Sequence, residues 1–156
     1  MPRMGTTMAT MATLALLAGP AGAAAARART AGDQAADDMV AAINHARARH
    51  GLHALRTSSS LMASAQRFSH WLMAKTSSRT RGSIRASSRL RSLGEALARH
   101  SGHRFDVRRT VDQWLGSPAH RALVLSRTMR RVGTGAARGR LGPMPATIWV
   151  LHLARL

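Results

Sequence analysis

The stretch Trp114-Leu115-Gly116-Ser117-Pro118-Ala119-His120-Arg121 constrains this chain most, because it joins a large apolar anchor to a histidine through a turn-prone Gly-Ser-Pro. Val107, Val111 and Trp114 fall at helical spacing, and Asp106 is placed to cap the helix they mark. Pro118 disfavours α conformation at Ser117 and suits the first position of a following short helix. The expected result is a fixed corner that presents His120, with Leu123, Val124 and Leu125 on the short helix beyond it.

The first stretch reads as an address. Residues 1–26 hold Arg3 as their only charge, an apolar run from Met8 to Ala18, then Gly19-Pro20 and a string of alanines. This is the charged, apolar and small-residue order of a secretory signal peptide, with cleavage options between about Ala21 and Ala28. The run is too diluted by Ala and Thr, and too soon broken by Gly-Pro, for the about 20 apolar residues of a membrane span. No arginine falls between Arg3 and Arg27, which argues against a transit peptide. Export to the periplasm or the extracellular space is the expectation, with a short linker over 27–35, one domain over 36–156 and no membrane span after cleavage. Roughly 130 residues then bury about two-thirds of their unfolded surface, enough for one compact domain.

The formal net charge is +18, nearly all of it arginine, since Lys75 is the single lysine. Such a field attracts polyanions: nucleic acid, anionic lipid headgroups or acidic wall polymers. Aromatic residues make up 3% of the chain, which leaves few platforms for stacking bases, so no specific nucleic-acid partner is expected. The absence of cysteine excludes disulfides, a thiolate nucleophile and Cys-ligated metal.

Along the domain, Ala36, Met39, Val40, Ile43 and Ala46 trace one face of a helix from Asp33 to His50, ended by Gly51. Leu61, Ala65, Phe68 and Leu72 mark a second, from Ser58 to about Lys75. Thr76 to Ser92 is Ser/Arg-rich and reads as a loop with at most a short helix from Ile84 to Arg89. Leu93 to Ala98 reads as a strand carrying Glu95, the only glutamate, and a loop with His100 and His103 follows. Arg131–Ala136 and Thr147–Leu153 read as an antiparallel hairpin around a turn from Arg138 to Pro145. Helices before and between about three strands give an α+β domain.

Five short motifs in this order resemble the CAP superfamily, or SCP domain, in its short bacterial form. They are Asn44 with Arg47, Gly51 and Leu52; Gly94-Glu95; Trp114 with Ser117-Pro118-Ala119-His120-Arg121; Val132-Gly133-Thr134-Gly135; and Trp149-Val150. The resemblance implies a three-layer α-β-α sandwich, a small antiparallel sheet flanked by helices, with Trp114, Trp149 and Gly94 as structural anchors. It also implies a surface cleft lined by two histidines and two acids able to hold a divalent metal. Residue by residue, Glu95 matches the first acid and His120 the histidine of the Ser-Pro-x-His-Arg motif, with Ser117 and Arg121 beside it. Arg81 falls where the family has its other histidine, Ala96 and Leu123 replace asparagines, and there is no second glutamate.

A zinc site normally takes three or more protein ligands. Glu95 and His120 supply two, so a metal needs His70, His100 or His103 as well, and no cofactor is expected. No acid is positioned by motif to orient His120 for a serine hydrolase built on Ser117. Glu95 is instead expected to accept hydrogen bonds across the cleft, from Arg121 or His120. The resulting expectation is a non-enzymatic secreted module that binds an anionic envelope polymer or a lipid. The alternative is a metal-dependent or hydrolytic enzyme using Glu95 and His120.

Overall fold

The computed structural model describes residues 30–75 and 91–155. The expected signal peptide, Arg81 and the expected short helix at 84–89 lie outside the described residues. The elements are α1 (Ala31–Arg49), β1 (Arg56–Thr57), α2 (Ser59–Ala74), β2 (Arg91–Ser101), α3 (Val107–Gly116), α4 (Pro118–Val124), β3 (Arg131–Leu141) and β4 (Met144–Arg155).

α1 begins at a capping box, in which Thr30 accepts from the Asp33 backbone N–H while the Asp33 carboxylate accepts from that of Thr30. It ends at Gly51, whose φ of +64° is open to a residue without Cβ. Asp106 caps α3 through the Arg109 N–H, and Pro118 occupies the first turn of α4 as the corner demands.

The sheet order is β1-β3-β4-β2, with β4 antiparallel to both long neighbours and β1 parallel to β3. The sheet is therefore mixed where an antiparallel one is expected, because two residues of the α1–α2 connection add a short parallel edge. The hairpin turn is also tighter than Arg138 to Pro145. β3 and β4 pair up to Leu141 and Met144, leaving Gly142 at φ +61° and Pro143 between them. β2 reaches Ser101, so His100 is a strand residue and not part of a loop.

Side-chain alternation builds two cores. On one face Trp149, Leu151, Leu153, Ala96, Ala98 and Val132 pack against Met39 and Ile43 of α1, Val111 and Trp114 of α3, and Val124 of α4. On the other, Ile148, Val150, Ala146 and Ala137 pack against Ala65, Phe68, Leu72 and Met73 of α2. This is the three-layer arrangement, with α2 alone on its side among the described residues.

α2 also guards the edge of β3 beyond the short β1. The Ser58 N–H donates to Val132 O, Met62 Sδ accepts from Thr134 N, and the Gln66 amide both donates to Ala136 O (3.0 Å) and accepts from Ala136 N (3.1 Å). A helix side chain thus completes the ladder that a missing strand would leave open. The helix comes this close because β3 carries Gly133 and Gly135 beneath it.

Candidate functional site

β2 distributes the site residues between the two faces. Gly94 lies under α4, where an added Cβ would meet Leu123 Cδ1 at 2.3 Å. Its neighbour Glu95 therefore points to the α2 face. There it meets its cross-strand partner, His152 of β4, whose Nε2 lies 3.0 Å from Glu95 Oε2. The His152 side chain is fully buried and that of Glu95 is 27% exposed. Phe68 of α2 lies over the imidazole in a stacked geometry, 6.2 Å between ring centres, and itself stacks on Trp71.

With the carboxylate accepting, Nε2 donates the hydrogen of this bond. Nδ1 is buried and has no partner among the described residues. Glu95 and His152 thus form a pin between β2 and β4, sealed on the helix side by an aromatic ring.

α4 packs on the opposite face, through Leu123 and Val124. It carries His120, half-buried on its first turn, and exposed Arg121. Ser117 precedes the helix as its N-cap without a side-chain capping bond, and its carbonyl accepts from the Arg121 N–H at 2.7 Å. The structure therefore does not join Glu95 to His120 or Arg121, as the sequence suggests. Strand alternation sends the carboxylate away from the corner, and His152 takes the expected bond.

The other histidines weighed as ligands are likewise apart. His70 is exposed on α2 beside Gln66, and His103 is exposed after β2. His100 is buried on the α3 face, its Nε2 2.9 Å from Thr110 Oγ1. Among the described residues, no group of three or more His, Cys, Asp or Glu side chains is arranged to hold a metal ion. On the Glu95 face of β2, Leu97 and Arg99 instead line an open cleft of about 480 Å³ with Leu72, Lys75, Leu141 and Ile148.

The other motifs have structural roles. Asn44 pairs with the backbone of Leu55 as a strand would, accepting from its N–H (2.8 Å) and donating to its carbonyl (3.1 Å). Arg47 is buried and donates from Nε to His53 O and from Nη1 to Val124 O and Ser126 O, which ties α1 to the end of α4. Trp114 donates from Nε1 to Leu97 O at 3.2 Å, and Trp149 lies edge-on to Phe105.

The profile of the CAP family, described as the cysteine-rich secretory protein family, matches residues 40–153. The chain belongs to the CAP family. It does so without a single cysteine. The CAP fold is shared with an outer surface protein of Borrelia burgdorferi, at TM-score 0.59 and 18% identity over 76% of this chain and 90% of that one. It is shared with an extracellular SCP-domain protein of Bacillus anthracis (0.62, 16%, 80% of this chain and 41% of that one). A cysteine-rich secretory protein of Staphylococcus aureus is similar as well (0.59, 14%, 81% and 40%). This CAP domain thus spans most of the Borrelia protein and about two fifths of the other two. A search of curated protein sequences gives no match.

Proposed function

We propose that this chain is an exported, non-enzymatic CAP module that binds an anionic envelope component, a polymer or a lipid, through its arginine-rich surface. The observation that carries this reading is the placement of Glu95. The acid that a metal or hydrolytic mechanism would need is bonded to a buried histidine on the face away from His120. The net charge of +18 supplies attraction for a polyanion. Export is supported by the composition of residues 1–26 and by the secretory character of the family. Among the described residues, no helix is long and apolar enough to cross a membrane.

The test is calorimetry of the purified protein with zinc, calcium and magnesium, together with the Glu95→Gln variant. No metal heat is expected. Glu95→Gln keeps an acceptor for the His152 N–H and loses only the charge, so it costs about 1 kcal/mol and lowers Tm by a few degrees. The cost stays below the about 3 to 5 kcal/mol of a fully buried pair because part of Glu95 reaches solvent. Binding to vesicles containing phosphatidylglycerol is expected to be unchanged. A one-to-one metal isotherm that Glu95→Gln abolishes would instead place a metal site at Glu95 and overturn this reading of the acid.

A further inference from the structure

The buried guanidinium of Arg47 is charged, yet no carboxylate answers it. Its three hydrogen bonds go to backbone carbonyls, which offer partial charge only. Burial first, and then the Arg130 charge nearby, lower its pKa from the ordinary value, so the surroundings tax the charged form without neutralising it. The remaining nitrogen, Nη2, bonds to no group among the described residues. Arg47 also lines a pocket of about 250 Å³ together with Gly51, Leu52, His53, Arg127 and Arg130.

Arg130 uses one nitrogen on the carbonyls of Arg127 and Met129, and Arg127 makes no side-chain hydrogen bond among the described residues. No carboxylate of the described residues pairs with any of the three arginines. Three arginines thus border one small concavity, the innermost fixed by its bonds and the outer two exposed, with N–H groups to spare.

We infer that this pocket is a phosphate site, with Arg47 as its fixed floor and Arg127 and Arg130 as its closing donors. Guanidinium forks match the oxygens of a phosphate group in pairs, and several around one dianion remove the repulsion they impose on each other. The pocket holds several water volumes of about 30 Å³ each, room for one phosphate and part of its hydration. No Phe, Tyr or Trp lines it, and its donors are the three arginines, so the recognised part is the phosphate. The site gives the anionic ligand of the proposed function a defined place, and it can fail while that reading stands.

Because the whole chain is cationic, the test compares charge-matched variants. Arg127→Gln/Arg130→Gln removes two pocket arginines. Arg67→Gln/Arg104→Gln removes two exposed arginines of α2 and of the loop before α3. Inorganic phosphate is titrated into each by calorimetry, at ionic strength held constant with chloride. The wild type is expected to bind one phosphate. The pocket pair weakens it at least about tenfold, equivalent to about 1.4 kcal/mol, and the control pair changes it less than about twofold.

Equal weakening by both pairs, or no saturable binding by the wild type, overturns the site. Neither substitution touches the core, and Arg127→Gln alone serves if the double variant loses thermal stability in phosphate-free buffer. Sedimentation with phosphatidylcholine vesicles, with and without phosphatidylglycerol, separates the sources. Loss of phosphatidylglycerol-dependent binding in the pocket pair assigns the site to a lipid headgroup, and retention assigns it to soluble phosphate. Vesicle binding lost alike in both pairs keeps a diffuse envelope attraction and removes this pocket from it.

Discussion

His100 shows how a single side chain can have its tautomer fixed by a neighbour. Thr110 Oγ1 donates its only proton to Asp106 O at 2.7 Å, so it can only accept from His100, and His100 is the Nε2–H tautomer. Burial, and then the charge of Arg109, lower its pKa from 6.5, with Asp106 opposing them. The unfolded chain therefore takes up this proton at higher pH than the folded one, and stability falls with falling pH wherever that difference holds. The contribution is fully present above about 6.5 and is lost as the pH drops from there through the lowered folded-state pKa. Urea unfolding at pH 7.5 and 5 is expected to show that loss, and His100→Gln is expected to make it smaller. An equal pH effect in wild type and variant would place the acid sensitivity on other groups.

At the scale of elements, the contact of α2 with β3 decides the packing of its layer. A Cβ at Gly133 would stand 2.2 Å from Leu61 C, and one at Gly135 would stand 2.3 Å from Gln66 N, both backbone atoms of the helix. At Gly139 the obstacle is the side chain of Met73, at 2.7 Å, which can turn aside. Gly133→Ala and Gly135→Ala are thus expected to cost about 2 to 3 kcal/mol or more, and Gly139→Ala less than about 1 kcal/mol, measured by chemical denaturation. Equal costs at the three positions would mean that α2 shifts without penalty. These glycines are visible in the sequence as a motif, but the reason for them is not, because it lies in a helix some seventy residues earlier. The same distinction runs through the chain. Helices α1 to α3 and the Pro118 corner are legible because spacing, caps and a proline are local signals. β1 is not, since two residues give no period, and His100 is misplaced because the end of β2 is set by its pairing with β4. Glu95 stands out as a lone acid in an apolar run, and so does His152 as a lone histidine in another. Only the register of two strands far apart in sequence shows that each is the other's partner.

For the molecule as a whole, the excess of arginine is a standing cost, and six carboxylates against 24 cationic side chains cannot balance it. Of the 30 ionised side chains, 24 are cationic. Arg108 and Asp112 lie 3.9 Å apart with both side chains largely exposed, a pair worth little. Repulsion among the remaining charges acts over about 30 Å at 0.01 M salt and about 10 Å at 0.1 M. Stability should therefore rise with added sodium chloride over that range, read as an increase in Tm by scanning calorimetry, opposite in sign to a fold held by surface ion pairs. A flat or falling Tm would mean that the arginines are already neutralised in the folded state. Screening depends on ionic strength alone, whereas a phosphate held by Arg47, Arg127 and Arg130 adds stability in proportion to its occupancy. Phosphate should thus raise Tm more than chloride at equal ionic strength, and that surplus, unlike the screening, should disappear in Arg127→Gln/Arg130→Gln.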